Sequence, residues 1–385
     1  MTKLTITNCR FFDSGRKAPL ANLVVENGKI IKIGGCGQKA VSGKTLDAGG
    51  RIVAPGLIDV HIQGAGGADV LDGTAAALAT ISKTCARSGV SGFLATTVYR
   101  PGADNRHLEI AAECSGTELG GARLLGIHLE GPFISPAKRG MIQPSCICNP
   151  SPDVLADIMR LTRGTLRMMT IAPELDGSPD IIRRLADHGV IASFGHSAAT
   201  YEQTLEGIEA GISHVTHLLN AMTSLHHRAP GPLLALADSP GVSAQIIADG
   251  VHLHPRIVKL VWEMFGPKRC VAITDGMQAA GLPDGHYVYN GIEYKSENGA
   301  ARYFDGTLIG TAVSLSELTL RLRTFSGCSP AEAINAASRN PARILGLAGS
   351  KGTIARGFDA DLTVFEKDGS VRALVLGGNV IYPQQ

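Results

Sequence analysis

Four residues that can bind a metal or move a proton each come at the end of a short apolar run. Glu130 ends the run that begins at Leu124, His196 and His217 end two later runs, and Asp275 ends a fourth. Two neutral imidazoles and a carboxylate can hold a divalent metal and leave one coordination position open for water, which is typical of catalytic sites. A further aspartate beside that water can act as a general base. The four residues therefore predict a metal-dependent hydrolase.

The elements that must position these residues alternate between strand and helix through the middle of the chain. A capping box of Thr200 and Gln203, with Gly211 at the stop position, marks one helix. Ser329 before Pro330 opens another, which we expect to run to about residue 339. The eight apolar strand candidates are 57–61, 92–97, 124–130, 166–172, 190–196, 212–217, 244–249 and 270–275.

Eight alternating strands and helices predict an α/β protein with a (β/α)8 TIM-type barrel, in which catalytic groups lie at the C-terminal ends of the strands. A doubly wound sheet is the structural alternative, but it usually has fewer successive strands and a glycine-rich phosphate turn. After Asp275, Asn290-Gly291 between two β-like runs predicts a hairpin that leans over the mouth of the barrel.

Both ends of the chain have short β-like runs, at 4–7, 23–26 and 29–33 and again at 360–365, 371–376 and 380–382. Asn27-Gly28 predicts a tight hairpin between two of these runs. We expect residues 1–53 and 349–385 to form one small β-sandwich domain, with the catalytic barrel of residues 54–348 inserted into it.

Composition excludes several other classes. The 385 residues include 36 basic and 34 acidic side chains, a net charge of +2, so no strong field favours nucleic acid or an anionic membrane. No window approaches the ~20 apolar residues of a membrane helix, and the N-terminal residues do not resemble a signal peptide. Eight cysteines without CxxC spacing are typical of reduced thiols, so we expect a cytoplasmic protein.

Longer motifs carry a specific resemblance. The chain is similar to N-acetylglucosamine-6-phosphate deacetylases of the amidohydrolase superfamily over nearly its whole length. The motifs that carry this resemblance are APGLIDVH at 54–61, HLEGP at 128–132, GHS at 195–197, HLLNAM at 217–222, ADGVH at 248–252 and NPARILG at 340–346.

This resemblance implies a role for each matching residue. Glu130, His196 and His217 would bind one divalent metal per subunit, with zinc expected and iron, manganese or cobalt as alternatives. Asp275 would serve as general base towards water and then as general acid towards the leaving amine. The residues implied to hold or line the amino-sugar phosphate are Asn220, Ala221, Arg228, Asp249, His252, Leu308, Ile309 and Gly310. Because Arg228 would reach into a neighbouring site, a homodimer is implied.

Two positions depart from the pattern of related enzymes. Many amidohydrolases have His-x-His on the first strand, whereas this chain has His61-Ile62-Gln63, which favours a single metal and leaves His61 as the candidate ligand of a weak second site. These deacetylases often place a histidine in the loop after the third strand to contact the acetamide. Here Ile142 and Gln143 stand in that loop, so either Gln143 replaces this donor or the acyl pocket differs.

Three functional readings follow. The first is hydrolysis of N-acetylglucosamine 6-phosphate to glucosamine 6-phosphate and acetate, a step of amino-sugar metabolism. The second is an amidohydrolase for another N-acyl sugar, such as N-acetylgalactosamine 6-phosphate, or for a cyclic amide. Cyclic-amide enzymes commonly use a carboxylated lysine on the fourth strand, and residues 166–172 contain no lysine. The third is a non-catalytic barrel scaffold, which the retention of all four strand-end groups disfavours.

Overall fold

The computed structural model describes residues 3–13, 19–35 and 43–383. The strands are β1 (Lys3–Phe11), β2 (Ala21–Glu26), β3 (Lys29–Gly35), β4 (Lys44–Asp47), β5 (Ile52–Pro55), β6 (Leu57–Ile62), β7 (Gly64–Ala65), β8 (Ala68–Asp69), β9 (Val90–Thr97), β10 (Arg123–Glu130), β11 (Leu166–Ile171), β12 (Ile191–Phe194), β13 (His214–Val215), β14 (Ser243–Ile246), β15 (Cys270–Ala272), β16 (Gly285–Tyr289), β17 (Ile292–Glu297), β18 (Ala300–Tyr303), β19 (Leu308–Thr311), β20 (Leu362–Phe365), β21 (Val371–Leu376) and β22 (Asn379–Tyr382). The helices are α1 (Ala75–Arg87), α2 (Arg106–Cys114), α3 (Pro152–Thr162), α4 (Ser178–Asp187), α5 (Tyr201–Ala210), α6 (Pro232–Asp238), α7 (Pro255–Phe265), α8 (Leu315–Ser326), α9 (Pro330–Ala336) and α10 (Arg339–Ile344).

Eight parallel strands form a nearly closed barrel, which confirms the predicted fold class. Their order is β15-β14-β13-β12-β11-β10-β9-β6, and a single bridge between Ile62 and Gly276 joins the two ends. All eight residues of β9 are buried, as expected for a parallel strand covered on both faces. Helices α1 to α8 each follow one barrel strand, so the C-terminal ends of all eight strands point to the same face.

Five barrel strands end earlier than the apolar runs predict: β11 by one residue, at Ile171, β14 by three, at Ile246, and three others just before a candidate site residue. β12 ends at Phe194, β13 at Val215 and β15 at Ala272, so the candidate residues His196, His217 and Asp275 lie just beyond the strands. All three have positive φ values, of 49°, 27° and 50°. A left-handed backbone cannot continue a strand, and it turns these side chains out of the regular alternation.

The predicted helix 330–339 is shorter than expected. α9 ends at Ala336, and α10 begins at Arg339 after a break. In this break the hydroxyl of Ser338 donates to the carbonyl of Ile334, 2.7 Å away, and such a bond competes with the backbone bond of a helix. The capping box of Thr200 and Gln203 at the start of α5 is confirmed.

The two ends of the chain share one small sheet domain, as predicted. Its strand order is β22-β21-β20-β5-β1-β2-β3, with β4 beside β1. The hairpin at Asn27-Gly28 joins β2 to β3, and both turn residues have positive φ. One apolar cluster contains Ile6 and Leu23 from the first part of the chain and Val364 and Val375 from the last part. The boundaries at residues 53 and 349 stay a prediction.

The segment after β15 forms a four-stranded sheet beside the barrel mouth. β16 and β17 pair around Asn290-Gly291, which confirms the predicted hairpin. Tyr294 and Ile309 of this sheet pack in one buried cluster with Met141 and Ile142, which follow β10. The insertion and the loop after β10 therefore form one wall.

The described cysteines are all free, with no disulfide between them. The longest helix in the described ranges, α1, has 13 residues, and none of the helices there has the length and apolar character needed to cross a bilayer.

Candidate metal centre

Glu130, His196 and His217, which we call the three-residue cluster, meet inside the barrel mouth. Glu130 Oε1 lies 2.9 Å from Nε2 of each histidine, and the two Nε2 atoms are 3.1 Å apart. All three residues are buried, and their ligand atoms lie within 4.8 Å of one another. The structure therefore brings together the three residues that the sequence singled out as metal ligands.

The protonation of this cluster suits a cation. His196 Nδ1 lies 2.8 Å from the carbonyl oxygen of Lys138, which can only accept, so Nδ1 carries the proton and Nε2 presents a lone pair in the neutral ring. Burial alone would raise the pKa of Glu130, but His61 and the two cluster histidines hold that pKa well below its ordinary value. Burial lowers the pKa of His217 despite the nearby carboxylate. An ionised carboxylate and neutral imidazoles are the forms that bind a divalent metal.

Asp275 stands beside the cluster. Its Oδ1 lies 3.3 Å from His61 Nε2 and 3.3 Å from the side-chain nitrogen of Gln63, which also lies 3.4 Å from Glu130 Oε2. An amide N–H2 group can donate to both carboxylates at once. Gln63 thus fills the space between Glu130 and Asp275 with a donor.

His61 is fixed from behind by a residue that sequence reasoning missed. Its Nδ1 lies 2.9 Å from Gln245 Oε1, which also accepts from the His217 backbone N–H at 3.1 Å. Burial alone would lower the pKa of His61, but Asp275 and Glu130 raise that pKa to about 9. His61 Nε2 lies 3.8 Å from Glu130 Oε1, farther than either cluster histidine. Gln245 lies on a central strand without a recognisable motif, so no sequence signal pointed to it.

A chain of hydrogen bonds crosses the barrel one layer below the cluster. His128 Nδ1 lies 3.0 Å from the carbonyl of Val60 and must donate to it, so Nε2 accepts from the Thr170 hydroxyl at 2.9 Å. Thr170 then accepts from Thr216 at 2.8 Å, and Thr216 accepts from Ser193 at 2.7 Å. The direction of every bond follows from the first, and the chain ties β10, β11, β12 and the turn before His217 together.

The positive φ values of His196, His217 and Asp275 are strained for non-glycine residues. Such conformations persist where the surrounding structure holds them, and they cluster at functional sites. The Asp275 backbone is held on both sides: its N–H donates to the His61 carbonyl at 2.9 Å, and its carbonyl accepts from Thr311 N–H at 2.9 Å.

A cavity of about 340 Å³ opens over the cluster. Five of the predicted substrate residues line it: Asn220, Ala221, His252, Leu308 and Ile309. Asp249 lies behind His252, with its Oδ2 2.7 Å from His252 Nδ1. Burial opposes ionisation of Asp249, but the bond from His252 keeps the pKa of this carboxyl below its ordinary value.

The two other predicted substrate residues do not line the cavity. Gly310 lies behind Asp275, and a Cβ at this position would come 2.5 Å from the Asp275 carbonyl oxygen. Arg228 is exposed, and its guanidinium lies 2.7 Å from His227 Nε2.

The loop after β10 supplies further cavity residues that we had not predicted: Ala137, Lys138, Gly140 and Met141. Gln143, one of the two alternatives for the acetamide donor, donates to the carbonyl of Asn290 at 2.6 Å, and Ile142 is buried in the apolar cluster. Neither is among the residues that line the cavity. The sequence had drawn attention to this loop but not to Lys138.

The whole chain resembles known enzymes. The family model described as "Amidohydrolase family" matches residues 52–381. An N-acetylglucosamine-6-phosphate deacetylase of Bacillus subtilis is 36% identical over 93% of this chain and 92% of its own length. An N-acetylgalactosamine-6-phosphate deacetylase of Escherichia coli O157:H7 is 34% identical over 86% of this chain and 88% of its own length.

A solved structure agrees in fold. A mutant of N-acetyl-D-glucosamine-6-phosphate deacetylase from Mycobacterium smegmatis, in complex with N-acetyl-D-glucosamine-6-phosphate, superimposes with a TM-score of 0.90. It is 31% identical, and the match covers 99% of both chains. The chain therefore belongs to the amidohydrolase family and, within it, to the family of N-acetylglucosamine-6-phosphate deacetylases.

Proposed function

We propose that this enzyme hydrolyses the N-acetyl group of N-acetyl-D-glucosamine 6-phosphate to give D-glucosamine 6-phosphate and acetate. The observation that carries the proposal is the convergence of Glu130, His196 and His217 beside Asp275 at the floor of one cavity. Relatives that match nearly the whole chain have this activity in their names.

The three-residue cluster would hold one divalent ion per subunit, which we propose to be zinc, with iron, manganese or cobalt as alternatives. Such an ion lowers the pKa of water towards ~7 and polarises an amide carbonyl. Gln63 supports a single tight ion, because its amide donates where a second imidazole would have to ligate. His61 remains the candidate ligand of a weak second site.

Asp275 would take the proton from the attacking water and deliver it to the departing amine. Its carboxylate lies next to the cluster, and its backbone is held rigidly, so the same group can act first as base and then as acid. Gly310, Leu308 and Ile309 would form the wall behind and beside this aspartate.

The residues Asn220, Ala221 and His252 would hold the sugar phosphate on the other side of the cavity, with Asp249 orienting the His252 ring. Arg228 is exposed and lies outside the cavity lining of its own chain. We propose that it reaches the phosphate in the neighbouring subunit of a homodimer, where a guanidinium can offer two parallel donors. We also propose a cytoplasmic location, which suits the free cysteines of the described ranges.

Acetate release from a panel of N-acetylated sugars, each with and without a 6-phosphate, tests the proposal. We expect efficient turnover of N-acetylglucosamine 6-phosphate, and loss of turnover after the metal is removed with a chelator. Equal turnover of the phosphorylated and unphosphorylated sugars would contradict the proposal that the site recognises a 6-phosphate.

N-acetylgalactosamine 6-phosphate is the second candidate substrate. One observation favours it: the relative from Escherichia coli O157:H7 that is named for this epimer is 34% identical to the chain, close to the 36% of the Bacillus subtilis protein. The same panel decides between the two epimers by their ratio of kcat/KM. A cyclic amide is disfavoured, because β11 contains no lysine that could become carboxylated.

A further inference from the structure

Lys138 is the one Lys or Arg among the described residues that line the cavity over the three-residue cluster. We propose that Lys138 binds the 6-phosphate of the substrate from within the same subunit, an inference that rests on the proposed function. Arg228 would then complete the phosphate site from the neighbouring subunit.

The backbone of Lys138 is anchored to the metal centre. Residues Pro136–Lys138 form a short 3-10 turn, in which Lys138 N–H donates to the Ser135 carbonyl at 2.9 Å. Ser135 N–H donates to the His196 carbonyl at 2.9 Å, and the Lys138 carbonyl accepts from His196 Nδ1 at 2.8 Å. Two bonds to one residue hold the start of the Lys138 side chain at a fixed place beside the cluster.

The following glycine keeps this loop close to His196. Gly140 has φ +55°, and a Cβ there would lie 3.3 Å from His196 Cε1. The loop backbone therefore lies directly against the imidazole. The Lys138 side chain starts two residues earlier, and Lys138 is among the residues that line the cavity.

The Lys138 ammonium has no ion pair within the part of the chain that the structure describes. It is partly buried, although Glu130 and Asp275 line the same cavity. Its neighbour Arg139 is exposed and donates to the carbonyl of Ile142 at 3.1 Å. An ammonium without a counter-ion is available for an anionic ligand, which would form charge-assisted hydrogen bonds with it.

The balance of charges in the cavity also indicates that a phosphate needs a cationic side chain there. Glu130 and Asp275 supply two negative charges, which the proposed divalent ion offsets. Without Lys138 the lining of one subunit would be formally neutral. A phosphate monoester carries about −1.5 to −2 at neutral pH, so the ammonium of Lys138 supplies the attraction that this lining otherwise lacks.

The test replaces Lys138 by methionine, which keeps an unbranched side chain of similar length and removes the charge. We expect K138M to raise KM for the phosphorylated sugar roughly 10- to 150-fold, with little change in kcat, because a charge-assisted contact is lost. Inorganic phosphate should inhibit K138M more weakly by a similar factor. K138R should recover part of the affinity. R139M, changed in the same loop but outside the cavity lining, should behave as the wild type.

Metal content and melting temperature of each variant separate a loss of phosphate contact from a loss of fold. Equal increases in KM for the phosphorylated and unphosphorylated sugars would overturn the proposal in favour of a hydroxyl contact, and so would unchanged inhibition by phosphate. If the wild type does not turn over any phosphorylated sugar, the proposed function fails separately. Calorimetric titration of phosphate into wild type and K138M then still decides whether Lys138 binds it.

Discussion

Two side-chain nitrogens lie 3.3 Å from one oxygen of the Asp275 carboxylate: His61 Nε2 and the amide nitrogen of Gln63. Replacing Asp275 by asparagine keeps the size of the side chain but removes its ability to accept a proton. We expect D275N to retain metal and substrate binding and to lower kcat by ~10²–10⁴, the usual contribution of a positioned acid–base group. Steady-state kinetics and metal analysis of the same preparation measure both. Turnover close to that of the wild type would mean that another residue takes the proton from water.

We propose that Gln63 limits the centre to one tightly bound metal ion. Its amide nitrogen donates towards Glu130 and Asp275, and its amide oxygen is a poorer zinc ligand than an imidazole. Elemental analysis of the wild type after mild chelation should find one tightly bound metal per chain. The variant Q63H places an imidazole beside His61 and should retain a second equivalent. Two resistant equivalents in the wild type would show that this reading of Gln63 is wrong.

At the scale of single residues, the sequence could indicate chemical type but not orientation. Glu130, His196, His217 and Asp275 were identifiable because each ends an apolar run. The hydrogen bond from His196 to the Lys138 carbonyl could not be predicted, because a backbone carbonyl carries no residue-specific signal. The choice between Gln143 as a replacement donor and a different acyl pocket could not be made for the same reason, because the Gln143 amide bonds to the backbone of the insertion hairpin.

Among the elements, β19 supports Asp275 from behind, and it can do so because Gly310 lacks a side chain. Gly310 has φ +147°, and a Cβ there would lie 2.5 Å from the Asp275 carbonyl oxygen. We expect G310A to displace Asp275 and lower kcat on the order of 10²-fold, since small misplacements of a catalytic group are costly. Kinetics and a thermal melt of the variant provide the measurement.

Gly291, at the tip of the β16–β17 hairpin, offers a matched control. It also has a positive φ, of 78°, but a Cβ there would meet no atom within 4 Å. G291A should therefore introduce backbone strain without a new contact and leave kcat unchanged. Equal losses of activity in both variants would mean that strain, and not contact with Asp275, explains the effect.

The capping box at the start of α5 should contribute to the stability of the fold and not to catalysis. Thr200 Oγ1 accepts from Gln203 N–H at 3.2 Å, and Gln203 Oε1 accepts from Thr200 N–H at 2.9 Å. Removing the cap in T200A should lower the free energy of unfolding by ~1 kcal/mol, whereas T200S should keep most of it. Urea denaturation compares the two. A large loss of activity in T200A would contradict a purely structural role.

Most elements could be predicted because their signals are local: apolar periodicity, capping boxes and Asn-Gly turns. The early ends of β12, β13 and β15 could not be predicted, because contacts from other strands hold the left-handed residues that follow these strands. Asp275, for example, is fixed by His61 on β6 and Thr311 on β19, residues distant in the sequence. The end of α9 depended on the rotamer of Ser338, which no sequence pattern specifies.

At the scale of the whole molecule, the proposed homodimer makes a prediction that only mixed subunits can test. R228A and D275N homodimers should both be weak, the first through a raised KM and the second through a lowered kcat. A heterodimer of one R228A subunit and one D275N subunit would contain one site with its own Asp275 and the partner's intact arginine. Co-expression with two affinity tags should therefore restore up to about half of the wild-type activity.

The same experiment distinguishes the two proposed phosphate contacts. If Arg228 acts within its own subunit, each site of that heterodimer carries one defect, and no activity returns. A heterodimer of one K138M subunit and one D275N subunit tests the converse case. Because Lys138 is proposed to act within its own subunit, the mixed dimer should keep the raised KM of K138M.

The pairing of β5 with β20 has a consequence for how the chain is made. Pro55 faces Leu362 in this pair, so the partner of β5 is synthesised roughly 300 residues later. At about 5–20 residues per second, β5 leaves the ribosome on the order of 15–60 s before β20 exists. During that interval one edge of the growing sheet is unpaired, and an open edge invites association with other chains. Because all eight barrel strands precede β20 in the chain, we expect this edge of the small sheet to stay open even after the barrel strands have been made.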